Sequence, residues 1–158
     1  LAGGLGRRFL SQRKHISERN KSMRDMHNNI SVLNAITPQA IGTTGAANGK
    51  LSGILDRRGF EAVEFVFQSG ASASVADTIN PVIFEAAATG DSFTSVADAD
   101  LLGTESGQKL TLTAAGVSRI GYIGNKRYLK IRLYGLGTAT AIVGAVAVLS
   151  KPSRAPVA

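Results

Sequence analysis

The sequence predicts an all-β fold: an antiparallel β-sandwich or barrel of about eight short strands, preceded by an extended basic N-terminal arm. Three observations lead there. Short apolar segments, several of them alternating, recur with no 10–15 residue helical pattern between them, which argues against a parallel sheet. Gly-containing turns punctuate these segments, and the chain holds 18 glycines in 158 residues. The residue mix is rich in Ala, Gly, Thr and Val, poor in aromatics and free of Trp, which favours strands and tight turns over long helices.

By length the chain is one domain with room for an appendage, divided into a basic arm over residues 1–29 and a sandwich domain over residues 30–158. Ala2-Gly3-Gly4-Leu5-Gly6 opens the arm, and residues 7–28 contain neither Pro nor Gly. Phe9, Ile16, Met23 and Ile30 recur every seven residues, with Leu10 and Met26 beside them. Polar residues (Arg13, Asn20, His27) hold the intervening positions, so the stripe is too thin for a self-sufficient coiled coil. A helix that orders on a partner and a disordered arm both fit this pattern.

The strands follow in order. Residues 30–36 form the first, closed by Thr37-Pro38, and a Gly/Thr/Ala loop runs over residues 41–49. Residues 50–55 give a second strand before an Asp56-Arg57-Arg58-Gly59 turn. Residues 61–68 are the clearest element, with Val63, Phe65 and Phe67 alternating against Ala62, Glu64, Val66 and Gln68. After a small polar loop, residues 81–88 form a strand with its proline at the first position, where the missing N–H is harmless. Residues 93–97 are a short strand followed by one helical turn that Asp98 is expected to cap. Further strands lie at residues 109–113, 119–123, 126–134 and 138–149, the third entered through a Gly124-Asn125 turn and the last ended by Lys151-Pro152.

Charge is segregated along the chain. Residues 1–27 hold seven bases against Glu18 and Asp25. Residues 59–105 hold eight acids and no Lys or Arg, while residues 106–158 hold eight bases and no acid. Blocks of opposite sign suit docking between copies, where complementary patches steer encounter and fix register; pairing within one fold is the other reading. Alternation over residues 126–134 puts Lys126, Tyr128, Lys130, Arg132 and Tyr134 on one face and Arg127, Leu129, Ile131 and Leu133 on the other. Three cations and two rings on one strand face can stack bases and neutralise phosphate. An exposed sheet face, or one meeting the acidic block near Glu61, Glu64 and Glu85, has the same composition.

Catalytic chemistry is poorly provided for. The chain has no cysteine, which removes disulfides, thiolate zinc sites and thiol catalysis. Its two histidines, His15 and His27, both lie in the arm at a spacing that matches no common metal-ligand pattern. Asp98 and Asp100 are a carboxylate pair in a turn that uses capping residues anyway. Gly3-Gly4-Leu5-Gly6 lacks a preceding strand and Gly135-Leu136-Gly137 a following helix, so neither is a phosphate-cradling loop. No enzyme activity and no cofactor is expected. The predominantly apolar stretch over residues 139–149 is about half the ~20 residues that span a bilayer as a helix, and no signal peptide or membrane contact is expected.

The stretch Ile120-Gly121-Tyr122-Ile123-Gly124-Asn125-Lys126-Arg127-Tyr128-Leu129-Lys130 resembles small virion proteins of tailed bacteriophages. These carry a similar GYIG-x-KRY run followed by a strand and a Pro/Arg-containing ending, here Lys151-Pro152-Ser153-Arg154-Ala155-Pro156-Val157. Asp56-Arg57-Arg58-Gly59-Phe60-Glu61-Ala62-Val63 is similar to the family's approach to its strongest strand. The resemblance covers residues 26–157 and leaves out the arm before Arg24. It implies a head-associated structural protein, a decoration or minor capsid subunit of the virion assembled in the host cytoplasm. Its implied partners are the major capsid protein and copies of itself, with trimers favoured. Phe9, Ile16, Met23, Ile30, Lys126, Lys130 and Arg132 are then the expected subunit or capsid contacts. Arg7, Arg8, Arg13 and Lys14 are candidates for contact with packaged DNA. A neck or tail subunit (connector or tail tube), and a DNA-binding protein using the arm, are the alternatives.

Overall fold

The computed structural model describes residues 25–41, 49–72, 77–136, 141–154 and 157. Phe9, Ile16, Met23, Arg7, Arg8, Arg13, Lys14 and His15 lie outside the described residues. Those described are all-β, with eleven strands and two single 3-10 turns at His27–Asn29 and Asp98–Asp100. One sheet has the order β1 (Ile30–Ala40), β11 (Ile142–Pro152), β4 (Phe60–Ser69), β9 (Gly116–Tyr122), β7 (Leu101–Leu102). The other has the order β2 (Lys50–Leu51), β10 (Tyr128–Leu136), β5 (Thr78–Ala86), β6 (Thr94–Ser95), with β3 (Leu55–Asp56) on β10 and β8 (Leu110–Thr111) on β5. Every pairing is antiparallel.

Alternation decides which side chains meet between the sheets. Val63, Phe65 and Phe67 of β4 join Ile120 and Tyr122 of β9 and Val143, Ala147 and Leu149 of β11 on the inner face of the first sheet. Ile79 and Ile83 of β5 with Leu129, Ile131 and Leu133 of β10 supply the opposite wall, and all of these are buried in one cluster. Each large side chain so buried contributes ~1.5–3 kcal/mol from the hydrophobic effect, which is what fixes the register of the long strands.

Four elements differ from the sequence reading for local reasons. The strand expected over residues 50–55 is interrupted because Ser52 stands in the ladder itself. Its N–H donates to Ile131 O (2.8 Å) and its hydroxyl accepts from Ile131 N–H (3.0 Å). β1 runs on to Ala40 through Pro38, absorbing two register shifts between Asn34 and Gln39.

Pro81 sits in mid-strand rather than at its start. Ile83 directs its N–H to Glu105 (2.8 Å) and its carbonyl to Val96 (2.9 Å), away from β10. Pro81, two residues earlier, faces that same side, between the short patches where β8 and β6 pair. Its missing N–H therefore removes no bond from the ladder with β10. The 3-10 turn has Ala97 as its N-cap and no side-chain cap, so Asp98 lies inside the turn and does not cap it.

Candidate functional site

The two stretches that carry the phage resemblance pack against each other at one corner of the sandwich. Leaving β9, Tyr122 is buried to 1% exposure and points its ring between the sheets. Its hydroxyl donates to Glu85 of β5 (2.5 Å) and accepts the Lys126 N–H (2.9 Å). Burial, followed by the bond to Glu85, pushes the phenol well above its usual range. The chain then turns over the ring at Gly124, where a Cβ would lie 2.5 Å from the Tyr122 hydroxyl and 2.6 Å from Cζ.

The Asp56-Arg57 pair closes the corner from the other side. Arg57 donates to the carbonyls of Lys126 (2.6 Å), Gly124 (2.9 Å) and Glu61 (3.1 Å), and its guanidinium lies 5.4 Å from the Tyr122 ring centroid. Asp56 takes two bonds from Arg127, at 2.8 and 2.6 Å. That fork geometry holds the Asp56 carboxyl at about 2. A shallow basin beside Arg57, Arg58 and Arg127 has two of its three cations engaged in these bonds.

The basic face of β10 has a different environment from the one its charge suggests. Lys130 Nζ lies 4.0 Å from the Phe93 ring centroid, and Arg132 lies 4.9 Å from that of Phe84. Lys126 serves the corner through its backbone. Two of the three acids expected near this face are occupied elsewhere: Glu85 accepts from Tyr122, and Glu64 lies 3.7 Å from Arg119. Within one chain, and among the described residues, the acidic block does not pair with Lys126, Lys130 and Arg132. Lys130 and Arg132 lie over Phe93 and Phe84 instead, as cations stack on aromatic faces. Ile30, the one arm anchor among the described residues, is half-buried at the start of β1 opposite Ser150.

Three further features complete the surface. Glu105 accepts the Ile83 N–H, and burial raises its carboxyl above the ordinary range. The outer face of the first sheet carries Val32, Val66, Val117, Val146 and Val148, with Val32 55% and Val117 67% exposed. Beside them, a hollow of ≈ 170 Å³ opens where Gly144 has no side chain, lined by Asn34, Pro38, Val66, Gln68, Val117 and Val146 among others. Among the described residues no group of three or more His, Cys, Asp or Glu side chains converges, and no helix is long and apolar enough to cross a membrane.

Sequence reasoning missed the corner and the valine face. Asp56 and Arg127 are 71 residues apart, and each of their segments reads locally as a turn. The signal available was an Asp-Arg-Arg-Gly segment and a Gly-Asn-Lys-Arg segment carrying opposite charges at Asp56 and Arg127.

No protein-family model and no curated protein matches the chain. Among solved structures, the N-terminal modules of endo-1,4-beta-D-xylanase 10B from Clostridium thermocellum align over 84% of this chain at 13% identity with a TM-score of 0.49. The chain spans 28% of that protein's length. A xylan-binding domain from Paenibacillus barcinonensis aligns over 78% of this chain and 86% of its own, at 11% identity and a TM-score of 0.41. The structure of infectious bursal disease virus, Gx strain, aligns over 80% of this chain and 34% of its own, at 11% identity and a TM-score of 0.46. These likenesses are ones of strand arrangement, and no activity or partner is carried over from them.

Proposed function

We propose that this chain is a non-enzymatic structural protein of a bacteriophage head, a decoration or minor capsid subunit that cements neighbouring capsomers. The observation that supports this reading is the corner itself. The two segments that resemble phage virion proteins interlock through Arg57, Tyr122 and the Asp56–Arg127 pair, so the resemblance falls on one structural unit. A cement subunit needs a stiff body and a surface rich in contacts. The free energy of such contacts is multiplied by effective concentration on a repeating lattice. Copies of itself, grouped as trimers, and the major capsid protein are the partners, and the virion is the location.

The test is binding of the purified protein to preformed empty heads. Saturable binding is expected, and the charge reversal Lys130→Glu with Arg132→Glu weakens it by more than it weakens folding. Rings of high order or tubes formed by the protein alone would favour the neck or tail reading. A duplex-DNA affinity that falls by about 0.9 log units per phosphate contact for each log unit of salt, with no affinity for empty heads, would replace the proposal with a DNA-binding role.

A further inference from the structure

We infer that the outer face of the five-stranded sheet is the seat for residues 7–23 of a second copy of this chain, bound as an amphipathic helix. The inference rests on sheet geometry and the arm sequence, and it holds or fails independently of the head assignment.

Strand register places the five valines as a stair. Val32 stands opposite Val148, Val146 opposite Val66, and Val117 opposite Gln68, one pleat beyond Val66 on the same face. The stair crosses four strands and descends two pleat repeats, about 20 Å corner to corner at ~4.8 Å between strands and ~3.4 Å per residue. In the arm, Phe9 and Met23 are fourteen residues apart with Ile16 midway. A strand would put Ile16 on the face opposite to both, because seven is odd. A helix puts all three on one side and separates Phe9 from Met23 by about 21 Å, the length of the stair. The hollow at Gly144 gives the middle of that stripe a place to insert, since a Cβ there would already meet Pro38 Cγ at 3.3 Å.

The occupant is a second copy because of where the arm leaves the body. Met26, the first apolar residue described in the arm, is 68% exposed and so is not seated on its own sheet. Asp25 and the turn at His27–Asn29 are fixed by bonds from Asn28 and Asn29 to Asp25, and by Val157 N–H to the Asn28 carbonyl (3.0 Å). β1, which carries the first step of the stair, pairs on one side only among the described residues and carries no charge over its 11 positions. It therefore lacks the lysines that commonly keep an edge from meeting another chain.

Absence of native cysteine makes the test direct. Full-length Asn20→Cys and Asn34→Cys variants, mixed under mild oxidation, should give a disulfide-linked heterodimer. Adding Phe9→Ser, Ile16→Ser and Met23→Ser to the first variant, or Val66→Lys and Val146→Lys to the second, should weaken association on the order of 100-fold by sedimentation. The arm variant leaves the sandwich untouched, so it remains decisive if the lysines impair folding. A wild-type chain that stays monomeric up to millimolar concentration overturns the inference. So does an Asn20→Cys/Asn34→Cys chain that closes its disulfide within one copy, or heterodimer formation indifferent to the serine substitutions.

Discussion

Gly124→Ala is the sharpest perturbation of the corner. The positive-φ glycines among the described residues are Gly59 and Gly103, so the demand at Gly124 is for space and not for an unusual torsion. An added Cβ would sit 2.5, 2.6 and 2.7 Å from Oη, Cζ and Cε2 of Tyr122. The ring cannot yield cheaply, because its hydroxyl is held between Glu85 and the Lys126 N–H. Overpacking costs ~1–3 kcal/mol. If the ring swings aside, the hydroxyl bonds are lost as well, at ~1–3 kcal/mol where one partner is charged.

The expected loss is therefore ~1–6 kcal/mol, or roughly 4–24 °C in the melting midpoint at ~4 °C per kcal/mol for a domain of this size. Urea unfolding followed by circular dichroism measures it. Gly53→Ala is the control: nothing lies within 4 Å of its Cβ, and its stability should stay within ~1 kcal/mol of wild type. Repeating Gly124→Ala in a Tyr122→Phe background removes the closest atom and frees the ring. The double variant should then lose at least ~1 kcal/mol less than the sum of the two singles. Additivity within ~0.5 kcal/mol, or a Gly124→Ala loss no larger than that of Gly53→Ala, would refute the latch.

Three other outcomes follow from the same surface. The folded Glu105 carboxyl is raised, chiefly by burial, so the native state holds its proton more tightly than the unfolded chain. Its effect favours the fold at low pH and fades as pH rises from the ordinary carboxylate range through the folded value. Glu105→Gln keeps an acceptor for Ile83 N–H and should stabilise the protein at pH 7 but not at pH 4, read from urea midpoints. Asp56 has the opposite sign: its folded value of about 2 against 3.8 gives stability present above pH 3.8 and lost as pH falls toward 2. Both side chains of that pair are more than a third exposed, so Arg127→Gln should remove no more than ~1 kcal/mol of this acid-side slope. Lys130→Glu with Arg132→Glu, which breaks two half-exposed ring contacts at ~0.5–1 kcal/mol each, should lower folding stability by less than ~2 kcal/mol in thermal melts.

The elements that were legible in the sequence are those whose burial alternates over most of their length. β4 is one: Val63, Phe65 and Phe67 face inward, and the observed strand differs from the expected range by one residue at each end. β10 is another, with Leu129, Ile131 and Leu133 buried and Tyr128, Lys130, Arg132 and Tyr134 half-exposed on the other face. Where a polar side chain takes over a backbone role, alternation carries no warning. Ser52 replaces a ladder residue, and Glu105 supplies an acceptor to Ile83 from 22 positions away.

Within one chain, and among the described residues, the charge blocks meet at Glu64 and Arg119 but not at the basic face of β10. Glu64 and Glu85 are drawn to Arg119 and Tyr122, and the cations of β10 lie over Phe84 and Phe93. The outer valines were hidden for a related reason. In β4, Val66 occupies the same series of positions as Glu64 and Gln68, and in β11, Val146 and Val148 alternate with residues that are themselves apolar. A strand that is apolar on both faces reads as one buried on both faces. Among the described residues Val66, Val146 and Val148 on the second face of β11 and β4 are only half-buried, and an antiparallel sheet with one face to water has no need of aliphatic side chains there. The departure from inside-out alternation is thus itself the mark of a surface built to be covered.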